Sequence, residues 1–178
     1  SVNPGLQMGF HIWQNDSFNP MYRAEQDYQL YTGYSDFIKP VLYDNCAGER
    51  MAQYVDSVGQ NVHGDLSKQE LLDFQYKVMN YDEKPYDQLS ASGFSSDYVL
   101  RETKRAKEGI AGSKTLVWPG IGIDIPAPHL STPESTKNAV LAAFQGGADG
   151  VLLSRMYEEM KPESLNGVGA AIRELGFA

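Results

Sequence analysis

The chain has 178 residues and a mass of 19.7 kDa, the size of one domain, with 42% hydrophobic and 21% charged residues. A net charge of -8 and a pI near 4.8 argue against nucleic acid or an anionic membrane face as partner, since both need a basic surface, and leave neutral or cationic ligands open. No apolar run approaches the roughly 20 residues of a membrane helix, and the single cysteine, Cys46, excludes an internal disulfide or a cysteine-based metal centre.

The chain opens with SVNPGLQ, which has no basic stretch leading into an apolar one, so no export signal is read there. Met8–Trp13 is the first predicted strand. Phe10 and Ile12 alternate with His11 and Trp13, and Gln14, Asn15 and Asp16 follow on a predicted rim loop. A helix is expected over Pro20–Tyr34, where Met21, Ala24, Tyr28 and Tyr31 recur at helical spacing. The second strand, Phe37–Tyr43, ends in Asp44 and Asn45 and opens a helical excursion over residues 47–110. Within it, Met51, Tyr54, Val55 and Val58 form one apolar stripe of a helix over Glu49–Val62. Ser67 and Glu70 make a capping box for a helix reaching Asn80. Residues 81–94 read as a loop, and Ser95-Ser96-Asp97 caps a basic helix ending near Gly109.

Thr115–Trp118 is the third strand, halted by Pro119, which cannot donate to a central ladder. A glycine-bracketed turn, Gly120-Ile121-Gly122, then leads to Asp124. Thr132-Pro133-Glu134 starts a helix that ends at Gly146-Gly147. The fourth strand, Gly150–Ser154, delivers Arg155, Tyr157, Glu158 and Glu159, and Lys161–Ser164 starts a last helix ending at Gly176. The result is a single α/β domain over 1–178 built from parallel βα units, four strands with flanking helices and a helical insertion after the second strand.

Ligand sites in parallel α/β folds lie at the carboxyl edge of the strands, and the polar residues collect there. The four strand ends bring His11, Trp13 and Asn15; Tyr43, Asp44 and Asn45; Trp118 and Asp124; and Arg155. Each also has a plain structural reading: a hydrogen-bonded strand histidine, a core indole, a capping aspartate, or an arginine paired with Glu158. It is their coincidence at one edge that points to a site. GxSxG, Walker and GxGxxG motifs are absent, and His11, His63 and His129 are scattered, so no cofactor and no metal site is expected. Carboxylates beside rings, amides and a guanidinium suit glycoside hydrolysis. The 11 tyrosines, flat rings with a polar tip, fit sugar-like ligands as well. Asp124 and Asp44 are the candidate catalytic pair. His11, Trp13, Asn15, Tyr43, Asn45, Trp118 and Arg155 are the candidate substrate contacts. The alternatives are a glycan-binding or assembly subunit without chemistry and, from Gly147-Ala148-Asp149-Gly150, a phosphate-binding metabolic barrel.

The segments HIWQNDSFNPMYRAEQDY, SDFIKPVLYDNCAGERMAQY, WPGIGIDIP and TPESTKNAVLAAFQGGADGVLLSRMYEEM resemble the C-terminal half of a group of uncharacterised bacterial proteins described as glycoside-hydrolase-like eightfold βα barrels. The resemblance implies that the four strands correspond to strands five to eight of a TIM barrel. It also implies that Asp124 holds the place of the nucleophile after the seventh strand, and that the protein is secreted or periplasmic. The acid/base that such barrels carry after their fourth strand has no counterpart in this sequence. A half-barrel exposes strand edges and its interior, so a homo-oligomer, or a partner chain supplying the other half, is expected.

Overall fold

In the computed structural model, which describes residues 3, 5–62, 64–154 and 156–177, short parallel strands alternate with helices. Arg155 and His63 lie outside the described residues. Strand β1 (Gly9–Ile12) pairs in parallel with β2 (Phe37–Pro40), and β2 with β3 (Leu116–Val117). A second parallel pair joins β4 (Gly120–Gly122) to β5 (Leu152–Ser154). The glycine-bracketed stretch expected to turn is therefore a strand. Pro119 lacks an N–H and interrupts the ladder for one step, and the chain then re-enters pairing. Val41 bridges Gly120, and the Leu42 N–H donates to the Gly120 carbonyl at 2.9 Å, so the two sheets meet along one arc. Strands β1, β2 and β3 lie side by side in chain order, β4 follows β3 in the chain but pairs with β5, and among the described residues the arc does not close into a barrel.

The predicted helix over Pro20–Tyr34 is instead two, α2 (Pro20–Glu25) and α3 (Tyr28–Thr32). Asp27 accepts from the Gln29 N–H and starts the second, a local bond that competes with helix continuation. Asn15 and Asp16 sit in a one-turn helix, α1 (Gln14–Phe18), rather than a loop. The excursion holds α4 (Asp44–Asn61), α5 (Lys68–Met79), α6 (Tyr86–Ser92) and α7 (Ser96–Gly109). Helix α6 falls where composition reads as loop; Leu89 drives it by burying completely. The capping box at Ser67 and Glu70 is present, with Ser67 N–H to Glu70 Oε2 at 2.9 Å and Glu70 N–H to Ser67 Oγ at 3.3 Å. Helices α8 (Pro133–Gln145) and α9 (Pro162–Glu174) follow β4 and β5.

One face of the strands packs on helices. Ile12, Ile38 and Val117 bury against Tyr28, Ala106 and Ile110, and Ile121 and Ile123 join a larger core with Met51, Val55, Leu71, Leu72, Val99 and Val140. Each such side chain contributes roughly 1.5–3 kcal/mol by leaving water. Gly48 lets α4 pass against α6: a Cβ there would lie 2.1 Å from the Leu89 carbonyl oxygen.

The opposite face is set by the same register. His11 pairs with Lys39, and Phe37 with Leu116. This face is only partly covered: His11 is exposed, and Phe37, Lys39, Leu116 and Trp118 are half-buried. Phe37 stacks on Trp118 with centroids 4.4 Å apart, and its ring lies where a Cβ on Gly9 would come within 2.1 Å. Lys39 Nζ reaches across to donate to Ser154 Oγ at 2.9 Å. Polar and aromatic groups thus share this partly covered face.

Candidate functional site

The carboxyl ends of β1 and β2 build a cleft of about 440 Å³ between the start of α1 and one face of α4. Trp13 enters it in extended conformation, φ -66 and ψ 146, and stands 71% exposed. Its indole meets His11 edge-on, centroids 5.0 Å apart. Partial burial, and then the Lys39 ammonium, lower the His11 pKa, which keeps the ring neutral at pH 7. Asn15 completes that wall, and Arg50, Gln53, Tyr54 and Ser57 form the other. Those four recur at i, i+3, i+4 and i+7, one stripe of α4. Taken with the apolar stripe beside it, it passes for a solvated surface.

Gln14 ties the two walls together and is 2% exposed. Its Nε2 donates to the Tyr43 carbonyl at 3.0 Å and to Tyr98 Oη at 3.2 Å, and its Oε1 accepts from Arg50 Nη1 at 2.6 Å. Tyr43 is itself buried, its ring 5.7 Å from the Arg50 guanidinium carbon, so it supports the cleft from beneath. Sequence reasoning put Gln14 beside the rim loop and Tyr54 in the apolar stripe of the helix, passed over Arg50, Gln53 and Ser57, and kept Trp13 and Asn15 as candidate contacts.

The two candidate acids sit elsewhere. Asp44 is the first residue of α4 and is 8% exposed. Burial raises its carboxyl to about 7, against the pull of the backbone N–H groups of Asn45 and of Asp44 itself. Asp124 lies beyond β4 with a left-handed backbone, φ 51. Its Oδ2 accepts from the Lys161 N–H at 2.9 Å and its Oδ1 from Ser164 Oγ at 3.2 Å, while its own N–H donates to Ser131 Oγ at 3.1 Å. Asp124 thereby caps α9 from a distance, a task the N-cap residue Lys161 cannot perform with its own side chain. Neither acid lines the Trp13 cleft.

Asn45 links the two regions: it is buried, and its Nδ2 donates to the Ile125 carbonyl at 2.7 Å. Its Oδ1 is buried without a hydrogen-bond partner. Trp118 is held in the stack on Phe37, on the partly covered sheet face rather than in the cleft. The Gly147–Gly150 turn precedes β5, at the amino edge of the strands. There the Asp149 carboxylate takes Lys107 Nζ at 2.6 and 2.7 Å and the Val117 N–H at 2.8 Å, a structural tie. Cys46 is buried, which pushes its thiol up to about 11.

Among the described residues, no group of three or more His, Cys, Asp or Glu could hold a metal ion, and no helix is long and apolar enough to cross a membrane. No family model, curated protein or solved structure matches the chain.

Proposed function

We propose that this protein binds carbohydrate in the cleft between α1 and α4, with the Trp13 indole as the platform on which a sugar ring stacks. The exposed indole carries the reading: a large apolar face is held in water, beside amide, hydroxyl and guanidinium groups suited to sugar hydroxyls. Titration of oligosaccharides followed by tryptophan fluorescence and calorimetry tests it. Replacing Trp13 by Ala is expected to weaken binding at least about tenfold, the loss of a central aromatic anchor. Affinity that survives the substitution removes Trp13 from the interaction.

A second reading, glycoside hydrolysis, rests on Asp44. A carboxyl group still protonated near neutral pH is what a general acid requires. Asp124 would be the paired nucleophile on the family resemblance, and would have to release Lys161 or Ser164 to expose an oxygen. Asp44→Asn is expected to abolish release of reducing ends from any glycan that the protein turns over; an unchanged rate takes Asp44 out of the chemistry.

The sequential parallel strands and the partly covered face around Phe37, Lys39 and Trp118 support reading the fold as half of a TIM barrel. That face would then be enclosed by a second copy or by a partner chain. The resemblance to barrels that often carry export signals favours a place outside the cytoplasm.

A further inference from the structure

Arg50 stands apart from the cations of this protein that sit in ion pairs. Arg23 and Arg105 are paired with Glu102, Arg101 with Asp97, Lys107 with Asp149, and Lys137 with Glu174. Arg50 has no carboxylate within 4 Å among the described residues, although the chain carries 23 acids against 15 bases. The adjacent Glu49 turns its Oε1 to Gln53 Nε2, 3.3 Å away, not to the guanidinium. The anchor that orients Arg50 is a neutral, buried amide, Gln14 Oε1 at 2.6 Å. A guanidinium has five N–H donors, and Gln14 is the one hydrogen-bond partner of Arg50 among the described residues. A half-buried cation held by a neutral group retains its full charge and its planar fork, and it lines the same cleft as Trp13.

We infer that the Trp13–Arg50 cleft is a subsite for an acidic saccharide, in which the Arg50 guanidinium pairs with a uronate carboxylate while the sugar ring rests on Trp13. The inference rests on the carbohydrate reading above. A carboxylate is favoured because one guanidinium supplies one charge and a fork that matches its two oxygens. Asn15 and Ser57 are left for hydroxyls.

Calorimetric titration of the whole chain with an oligogalacturonide, and with the fully methyl-esterified oligomer of the same length, tests this on the unaltered protein. The ester keeps the rings and removes the charge. The acid is expected to bind about 10- to 100-fold more tightly than the ester, as one charge-assisted pair provides, and the preference is expected to shrink as salt is raised. Arg50→Gln, checked for folding by near-ultraviolet circular dichroism, is expected to bind both oligomers equally. Equal affinity of the unaltered protein for acid and ester overturns the inference and leaves the carbohydrate reading standing. A preference that persists in Arg50→Gln overturns it as well. Failure to bind either oligomer or a panel of neutral oligosaccharides overturns both readings together.

Discussion

Replacing Glu102 by Gln is expected to lower stability by about 3–5 kcal/mol, measured as a fall in the urea midpoint, because it strips the negative charge from a buried cluster. Glu102 is 1% exposed in the middle of α7. Its Oε1 accepts from Arg23 Nη1 at 2.7 Å and from Tyr81 Oη at 2.9 Å, and its Oε2 accepts from Arg105 Nε at 2.9 Å. Arg23 and Arg105 have side chains 19% and 23% exposed, so most of their hydration is already gone. With Gln at 102 the two guanidinium groups face each other without a counter-charge. Such a loss is a large part of the total stability of a domain of this size. The comparison that decides the matter is Asp97→Ala on the same helix. It removes a solvent-exposed pair with Arg101 and is expected to cost less than about 1 kcal/mol. Similar midpoints for the two variants would show that burial does not amplify the Glu102 cluster.

The second large effect depends on pH. The Asp44 carboxyl is raised to about 7 by burial, so the folded chain holds a proton that the unfolded chain releases near 3.9. The folded state binds more protons between these values, and stability therefore falls as pH rises through that window. Below about pH 4 the penalty is absent; above pH 7 it is complete. Asp44→Asn removes it. The variant is expected to be more stable than the parent at pH 8, by roughly 1–3 kcal/mol, and no more stable at pH 4.5. The full shift would correspond to about 4 kcal/mol, less what is lost when a neutral amide replaces the acceptor for the α4 backbone N–H groups. Thermal melts of both proteins at the two pH values check this. An equal difference at both would mean that Asp44 is ionised throughout.

The sequence discloses those features that depend on neighbouring residues. The alternation of Phe10 and Ile12 against His11 locates β1 and its two faces, and the capping box at Ser67 and the proline that follows Thr132 locate two helix starts to the residue. Strand β4 is missed because two of its three residues are glycine, which leaves no alternation to read, and because Pro119 stands just before it. The roles of the acids are not local properties. Asp124 looks like a free strand-end carboxylate until α9 returns to place Lys161 and Ser164 on its oxygens. Glu102 looks like one charge on a basic helix until α2 brings Arg23 to it. Half of the cleft, Trp13 and Asn15, follows from its position at a strand end. The other half lies on α4, where a polar stripe beside an apolar one resembles any solvated helix surface.

The helical excursion bears on how the strands find one another. Gly9 and Phe37 meet across α1, α2 and α3, whereas Phe37 and Leu116 meet only after α4 to α7 have been threaded between them. Chain entropy penalises the longer closure only logarithmically, by about 1 kcal/mol relative to the shorter one. That is less than the burial of Leu72 or Leu89 alone provides. Four helices can therefore be inserted between neighbouring strands with little thermodynamic effect on their register, and one of them, α4, is the helix that supplies Arg50 and the far wall of the cleft.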